Sequence, residues 1–278
     1  MDDQVFEALA ALAHRESGIK LAREKKLMVQ SRLRHRLRAL NLDAFSDYSD
    51  HVLSDHGANE RRFMISALTT NVSHFFREAQ HFDLMSDRLM PEFKRRAAQG
   101  ERIRIWSAGC SNGQEAYSIA MHLLSQEPTL ATADLRILGT DIDPRVIEFA
   151  RVGQYSSAQL KGVSPENIEQ FTSANEGDEN LRTINENLKA MVSFQELNLL
   201  SDWPMRFPFD AIFCRNVVIY FDQPTQERLW PRFSRALARD GLFFLGHSER
   251  ILAPSKFDLK SVGPTAYLNR AHSFKTQQ

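Results

Sequence analysis

The chain has 278 residues, with 35 basic and 35 acidic side chains, and 42% of its residues are hydrophobic. This balance is typical of a globular protein with one large or two smaller domains. No apolar run approaches the ~18 to 20 residues that a membrane span needs, and the acidic start MDDQVFEALA is unlike a signal peptide. The two cysteines, Cys110 and Cys214, lie at the ends of apolar runs, so we expect no disulfide framework and a reducing cytoplasm.

Residues 1–72 carry the pattern of an all-helical N-terminal domain. Apolar residues such as Phe6, Leu9 and Leu12 recur at helical spacing, and glycine and proline are almost absent. Between Arg15 and Arg38 the sequence has nine basic residues and only two acidic ones. This basic stretch predicts either a docking surface for an acidic partner or simply a solvated helix face.

Residues 73–100 are predicted to be a mostly helical link, interrupted near the polar TTNVSH. From residue 101 to residue 278, strand and helix patterns alternate, which predicts a doubly wound (Rossmann-like), mostly parallel α/β sheet. Residues 152–190 are too long and polar for a plain crossover, so we interpret them as an inserted small β-subdomain whose hairpin lies at NEGDEN. The predicted strands are RIRIWSA, LRILGTDID, MVSFQELNLL, FDAIFCRNVVIYF and LFFLGHSE. A helix over PTQERLWPRFSRALARDG is predicted between the fourth and fifth strands, and a closing hairpin over FDLKSVGPTAYLNRA is predicted after the fifth.

The stretch RIRIWSAGCSNGQEAYSIAM combines a strand, a glycine-containing turn and a helix. Its glycines, Gly109 and Gly113, do not have the G-x-G-x-x-G spacing of a dinucleotide site, and Glu115 follows at once. A carboxylate there would repel a phosphate but would suit a cationic ligand with an ammonium and a sulfonium, such as S-adenosylmethionine. Alternatively, Glu115 is only a first-turn acid favoured by the helix dipole.

Two further strand ends place polar side chains at the carboxyl edge of the sheet, where doubly wound folds bind ligands. Asp141 follows the second strand and could accept hydrogen bonds from both ribose hydroxyls. Its alternative role is to cap the next helix, although Asp143 fits that role better. Arg215 and Asn216 follow the fourth strand, and the prolines of the [ND]-P-P-[YF] motif of amine methyltransferases are absent.

Six motifs occur along the chain in the order that characterises one family: TTNVSHFFRE, WSAGCSNGQEAYSIAM, LGTDID, NLL, FDAIFCRNVVIYFD and GHSE. Over nearly its whole length the sequence resembles the chemotaxis-receptor glutamate O-methyltransferases, the CheR family. The resemblance implies a class I methyltransferase sheet with an inserted β-subdomain, preceded by an all-α domain. It also implies methyl transfer from S-adenosylmethionine to glutamate carboxylates of chemoreceptors, which yields 5-O-methyl esters and S-adenosylhomocysteine and serves sensory adaptation.

The resemblance also implies a set of cofactor-binding residues. Arg77 suits the methionine carboxylate and either Glu115 or Asn216 the ammonium, while Leu199 offers a wall for adenine and Asn198 an amide for its edge. Core packing is the alternative role for Leu199, and capping of a helix near the break is the alternative role for Asn71 and Ser73. The cofactor-binding set is Asn71, Ser73, Arg77, Gly109, Glu115, Asp141, Asn198, Leu199, Arg215 and Asn216.

The same resemblance assigns the partners. Receptor methylation helices are acidic, which gives the basic helical stretch a docking role, with Arg32, Arg34, Arg36 and Arg38 as its predicted contacts. Tyr220 is the candidate for orienting the acceptor carboxylate, although it also fits a half-buried aromatic at the sheet edge.

The insertion departs from the family members that tether a C-terminal receptor peptide, because TSANEGDENLR has the single glycine Gly177 instead of a G-x-G turn. We therefore expect no tethering. We also expect no metal, no nucleic-acid substrate and no membrane insertion, and a monomer that a protein partner could regulate. The rival interpretations are a nucleic-acid methyltransferase, which the basic stretch favours, and a cofactor-binding scaffold without catalysis.

Overall fold

The computed structural model describes residues 1–175 and 177–271; the last seven positions of the predicted methyltransferase domain lie outside the described residues. Its N-terminal helices pack around an apolar core of their own, in which Leu9, Leu33 and Leu37 are buried. Asp2 caps the first helix, and its carboxylate accepts a hydrogen bond from the Val5 amide at 2.8 Å. The helices of this domain are α1 (Asp3–Ser17), α2 (Lys26–Ala39), α3 (Phe45–Leu53) and α4 (Ala58–Leu68).

A non-helical segment over residues 69–79 leads to the long helix α5 (Gln80–Ala98). The predicted break is therefore longer than expected, because it includes FFRE as well as TTNVSH. Phe76 and Glu78 have left-handed backbone angles, with φ of +53° and +57°. The Phe76 amide donates to Ser118 Oγ at 2.9 Å instead of to a helical carbonyl. We call residues 69–79 the lid segment.

A seven-stranded sheet has the order β6-β2-β1-β7-β8-β10-β9, in which the first five strands are parallel and the last two form an antiparallel hairpin. The strand order reverses between β1 and β7, so the predicted doubly wound sheet is confirmed. The strands of this sheet are β1 (Ile103–Ala108), β2 (Leu135–Asp141), β6 (Val192–Glu196), β7 (Phe209–Cys214), β8 (Leu237–Leu245), β9 (Leu259–Gly263) and β10 (Ala266–Asn269).

The helices that flank the sheet are α6 (Gln114–Gln126), α7 (Pro144–Val152) and α10 (Gln223–Ala236). The prediction that the last of them reaches Gly241 was wrong. Leu237 already pairs with Phe209 of β7, and the register of this pair shifts before Ala211. A Cβ on Gly241 would lie 3.1 Å from the carbonyl oxygens of Phe209 and Asp210 in β7, so this glycine allows a close strand approach and does not cap a helix.

The insertion forms a second, three-stranded antiparallel sheet of order β3-β5-β4, as the predicted fold requires. Tyr155 anchors it to the main domain, because its buried ring lies 5.0 Å from the Phe75 ring, centroid to centroid, and its hydroxyl donates to the Asn112 carbonyl. The elements of the insertion are β3 (Gln154–Ser156), α8 (Pro165–Phe171), β4 (Thr172–Asn175), β5 (Asp178–Ile184) and α9 (Glu186–Lys189).

Within the described residues, no helix is both long and apolar enough to cross a bilayer. The part of the chain that the structure describes also holds no group of three or more His, Cys, Asp or Glu side chains placed to ligate a metal ion. Cys110 and Cys214 are buried and free, and burial raises the pKa of both thiols well above its usual range.

Candidate active site

One pocket opens at the carboxyl ends of β1, β2 and β7, between the N-terminal domain and the sheet. It lies at the point where the strand order reverses, which is where doubly wound sheets bind ligands. The structure brings every predicted cofactor residue and Tyr220 to this one pocket. Its lining includes Asn71, Ser73, Arg77, Gly109, Glu115, Asp141, Asn198, Leu199, Arg215, Asn216 and Tyr220.

The glycine turn after β1 forms one wall of the pocket and approaches the loop after β7. Gly109 has φ of +83°, and a Cβ there would lie 2.3 Å from Val217 Cγ2, so a larger residue cannot occupy this position without displacing the loop. The Ser111 amide, which a phosphate site would use, donates instead to Asp141 Oδ2 at 2.9 Å. A carboxylate of the chain thus occupies this amide of the turn, which is not free to bind a phosphate.

Asp141 lies at the end of β2 with 8% of its surface exposed. Its Oδ1 accepts from the Asp143 amide at 3.0 Å, and its Oδ2 from the Ser111 amide. Burial raises the pKa of this carboxyl to about 6. An ionised carboxylate has about four lone-pair sites, so each oxygen can accept one more bond from a ligand in the pocket. The alternative capping role belongs to Asp143, which accepts from the Arg145 amide at 3.0 Å at the start of α7.

Glu115 and Arg215 form a buried ion pair, with 2.6 Å between Glu115 Oε2 and Arg215 Nε. The second oxygen, Oε1, accepts from Ser107 Oγ at 2.7 Å. The prediction left Glu115 and Asn216 open as partners of an ammonium. Asn216 Oδ1 is buried without a hydrogen-bond partner among the described residues, and each Glu115 oxygen accepts one bond and has a lone pair left, so both residues stay candidates for the ammonium.

The lid segment is fixed over the pocket by its own polar side chains. Asn71 Nδ2 donates to Asp143 Oδ2 at 2.8 Å, and the Asn71 carbonyl accepts from Ser111 Oγ at 2.8 Å. The Arg77 carbonyl accepts from the Arg215 guanidinium. The Arg77 side chain makes no hydrogen bond within the described residues, and its nearest carboxylate oxygen, on Glu78, is 3.9 Å from Nε. Asn71 therefore anchors the lid segment, whereas Arg77 keeps its N–H groups available to a ligand.

The N-terminal domain closes the pocket on the side of Tyr220. Ser17 and Ile19 line it, and the Lys20 amide donates to the Tyr220 carbonyl at 2.8 Å. Local sequence patterns could not predict these contacts, because residues 20 and 220 are far apart in the chain. The fourth predicted strand ends at Cys214, earlier than predicted, and Tyr220 lies beyond it in a short 3-10 turn.

Asn198 lines the pocket and also joins the two domains. Its Nδ2 donates to the Glu16 carbonyl at 2.6 Å, and its Oδ1 accepts from the Leu200 amide at 2.9 Å. These bonds leave one N–H and one oxygen lone pair of the side-chain amide for a ligand. Leu199 is 7% exposed and lines the pocket, and it also packs in the core around Trp106, so both of its predicted roles are compatible with the structure.

The four predicted docking arginines of α2 divide into two pairs, one with intramolecular partners and one without. Arg32 donates to the Leu68 carbonyl at the end of α4 at 2.8 Å, and Arg36 makes a two-pronged ion pair with buried Glu60 at 2.9 and 2.6 Å. Both are thus intramolecular contacts. Arg34 and Arg38 are exposed, and neither makes a side-chain hydrogen bond or ion pair in the described part of the chain.

The chain is similar to known methyltransferases over most of its length. Residues 4–69 match the family model described as CheR methyltransferase, all-alpha domain, and residues 71–266 match CheR methyltransferase, SAM binding domain. A probable chemotaxis protein methyltransferase of Rhizobium etli is 43% identical over 92% of this chain and 96% of the relative. Chemotaxis protein methyltransferases of Escherichia coli and Pseudomonas aeruginosa are 42% and 40% identical, over 90% and 94% of this chain and 85% and 91% of their own length. The chain therefore belongs to the CheR family of S-adenosylmethionine-binding methyltransferases.

Proposed function

We propose that this protein transfers a methyl group from S-adenosylmethionine to glutamate side chains of chemoreceptors, forming glutamate 5-O-methyl esters for sensory adaptation. The bound cofactor supplies a methyl group activated on a sulfonium sulfur. The observation that carries the proposal is a pocket at the sheet's reversal point whose polar atoms suit a cationic amino-acid end and a ribose. Family membership and relatives that are named chemotaxis protein methyltransferases support the acceptor.

The residues of the pocket fit this cofactor. Asn216 Oδ1, a buried acceptor without a partner in the described chain, would bind the methionine ammonium, and Arg77 would bind the carboxylate. Asp141 would accept from both ribose hydroxyls, and Leu199 would pack on the adenine. Gly109 lets the turn after β1 approach Val217 in the loop after β7, which brings both walls of the pocket together.

The acceptor needs little activation. A glutamate carboxyl with a reference pKa near ~4.3 is already ionised at neutral pH, so no general base is required. The protein's contribution is to align the attacking oxygen with the methyl carbon and to exclude water. Tyr220 lines the pocket, and its hydroxyl makes no hydrogen bond within the described residues. A phenol can orient the second acceptor oxygen without lowering nucleophilicity as much as a fixed cation would.

Arg34 and Arg38 are the proposed receptor contacts. They lie four positions apart on one face of α2, are exposed, and have no carboxylate partner among the described residues. An acidic methylation helix would supply those partners and would be attracted over a longer range. We further propose a monomeric enzyme that a protein partner regulates, and a location in the cytoplasm, which the two free, buried thiols support.

Transfer of label from the tritiated cofactor tests the proposal. Receptor-containing membranes should take up label, and mild alkali should release it as methanol, because a methyl ester is base-labile whereas a methylamine is not. RNA incubated in parallel should stay unlabelled. Label in RNA instead of receptor would support a nucleic-acid methyltransferase, and cofactor binding without label in either would support a scaffold that has lost catalysis.

A further inference from the structure

Glu249, in the GHSE motif after β8, is a buried carboxylate surrounded by backbone amides. Its Oε2 accepts from the Gly246 amide at 2.6 Å and from the Asn216 amide at 2.8 Å. Its Oε1 accepts from the Ile219 amide at 3.1 Å. The residue is 4% exposed. Two separate segments, the end of β8 and the loop after β7, are therefore joined through one side chain.

The arrangement is costly, which argues for a role beyond packing. No cationic side chain of the described residues forms an ion pair with Glu249, and burial raises its pKa while the amide bonds oppose that rise. An uncompensated buried anion costs several kcal/mol, so hydrogen bonds to the charged form must offset it. Asn216 is also held at φ of +60°, a left-handed conformation that non-glycine residues adopt at a cost of about 1 to 3 kcal/mol.

These features meet at Asn216. A Cβ on Gly246 would lie 2.5 Å from Asn216 Nδ2 and 2.7 Å from its backbone nitrogen, so the two segments are already in close contact. The Glu249 carboxylate holds the Asn216 amide on one side, and the Gly246 backbone confines the Asn216 side chain on the other. Asn216 is thereby held in the lining of the pocket, and its buried Oδ1 has no hydrogen-bond partner among the described residues.

We propose that Glu249 is a positioning residue of the active site. It fixes the backbone of the loop after β7, so that Asn216 Oδ1 is set for the cationic end of the cofactor. Through the Ile219 amide it also sets the position of Tyr220, the next residue along the chain. The inference rests on the proposed methyltransferase function. It assigns to one carboxylate both the grip on the cofactor and the placement of the acceptor-orienting phenol.

Asp210 provides a matched control at the opposite edge of the same sheet. It is 9% exposed, pairs with the Arg96 guanidinium and accepts from the Arg104 amide at 2.8 Å. Burial raises the pKa of this carboxyl as well. If buried carboxylates matter here only for stability, Glu249→Gln and Asp210→Asn should behave alike.

The experiment compares the two variants in the full chain. Thermal unfolding should show a lower midpoint for both. Calorimetric titration should show S-adenosylhomocysteine affinity reduced about tenfold, the scale of one lost charge-assisted hydrogen bond, in Glu249→Gln but unchanged in Asp210→Asn. Receptor methylation at saturating cofactor should also fall in Glu249→Gln alone. A lower midpoint with wild-type affinity and turnover in Glu249→Gln would overturn the proposal.

A double-mutant cycle tests whether Glu249 acts through Asn216. Asn216→Gly removes the oxygen and the strained conformation together, so Glu249→Gln added to it should reduce affinity by less than about twofold further. An undiminished tenfold loss in that background would contradict the proposed route. If Glu249→Gln does not fold, Gly246→Ala displaces Asn216 and leaves the carboxylate intact, and wild-type affinity in that variant would count against the proposal.

These calorimetric measurements do not depend on the acceptor. A wild-type protein that binds S-adenosylhomocysteine but labels no receptor would refute the proposed acceptor and would leave the test of Glu249 valid.

Discussion

The two edges of the parallel sheet carry similar side chains in opposite states. At the amino edge, Asp210 is bonded to Arg96 and to the Arg104 amide, and Arg104 forms an ion pair with Asp134 at 2.9 Å. At the carboxyl edge, Asn216 Oδ1 has no hydrogen-bond partner and the Arg77 guanidinium has no hydrogen bond, both within the described residues. The first edge is closed, and the second is open towards the pocket.

The comparison shows which property distinguishes the edge that binds a ligand from the edge that only stabilises the fold. Residue type does not distinguish them, because aspartate and arginine occur at both edges. What differs is whether the polar atoms are already satisfied. A buried polar atom without a partner costs about 1 to 3 kcal/mol, and a ligand that supplies the missing bond recovers that energy as affinity. Substitutions at the open edge should therefore reduce binding, and substitutions at the closed edge should reduce stability.

Asp141→Ala should have the largest effect on binding. The variant loses the acceptor for two ribose hydroxyls, which should weaken S-adenosylhomocysteine binding by about 1 to 3 kcal/mol, or roughly 5- to 150-fold. Isothermal titration calorimetry measures this directly. Asp210→Ala should leave the affinity unchanged while lowering the unfolding midpoint. Equal affinities for wild type and Asp141→Ala would remove the ribose assignment and, with it, the distinction between the edges.

The sequence predicted the open edge better than it predicted which of its atoms are free. Strand ends in a doubly wound sheet meet at one edge, so Asp141, Arg215 and Asn216 could be assigned to one site from their positions alone. The satisfaction of each group could not be predicted, because it depends on contacts from distant segments. Asn198 donates to the Glu16 carbonyl, and Glu115 accepts from Arg215, 100 positions away.

Three further features depend on contacts between distant segments and could not be predicted from the sequence. The basic residues of α2 share a helix, but whether each is free depends on what α4 offers opposite to it, and Arg36 meets Glu60 there. The residues LARDG have the pattern of a helix end, which predicts a helix that is longer than α10. Because Leu237 pairs with Phe209, these residues instead form the start of a strand. Glu249 lies in the GHSE motif, but its burial among backbone amides can be seen only in the three-dimensional structure.

Tyr220→Phe should reduce turnover rather than binding. If the phenol orients the acceptor carboxylate, its loss removes a hydrogen bond to a charged group, so kcat for receptor methylation should fall about tenfold. Calorimetric affinity for S-adenosylhomocysteine should stay the same, since the side-chain atoms proposed for the cofactor are intact. A normal kcat would reduce Tyr220 to a half-buried aromatic of the pocket wall.

Cofactor affinity should decrease on acidification through the pKa of Asp141. That pKa is about 6 in the free protein, because burial disfavours the charged form, and the ligand requires the ionised carboxylate. Between pH 7.5 and pH 5 the apparent affinity should therefore fall by roughly tenfold. The sign for stability is opposite: the folded, cofactor-free protein takes up this proton before the unfolded chain does, so this group favours folding as pH falls below about 6. Calorimetry over this range, with Asp141→Asn as the pH-insensitive control, would reveal a flat profile if the assignment is wrong.

The arginines of α2 also differ in whether they already have a partner in the structure: Arg32 and Arg36 do, and Arg34 and Arg38 have none among the described residues. Arg34→Glu or Arg38→Glu should raise the KM for receptor a few-fold and weaken the salt dependence of kcat/KM, because an exposed docking cation acts mainly on encounter. Cofactor affinity should be unchanged. Arg88→Glu, an exposed arginine on α5, reverses the same charge away from this face and should have no such effect. Equal receptor kinetics in all three variants would return Arg34 and Arg38 to a solvated face.

The edges of the inserted sheet give the smallest expected signal. Adding a receptor peptide as a further strand requires an open edge, and β5 is already covered on both sides by β3 and β4. The outer strands are only three and four residues long, so either can offer a peptide few backbone bonds. The β4–β5 turn has the single glycine Gly177, and the exposed carboxylates of Asp178 and Glu179 follow it and would repel an acidic peptide.

We therefore expect pentapeptides of the tethering type to bind this protein weakly or not at all when titrated by calorimetry. Receptor methylation should be insensitive to the same peptides added as competitors, because docking rests on the helical domain. A dissociation constant in the low micromolar range would show that the inserted sheet has an open edge after all. If the wild type binds weakly as expected, the variant Asp178→Ser/Glu179→Ser separates the two possible obstacles: tighter binding would identify charge repulsion as the barrier, and unchanged weak binding would identify the short outer strands.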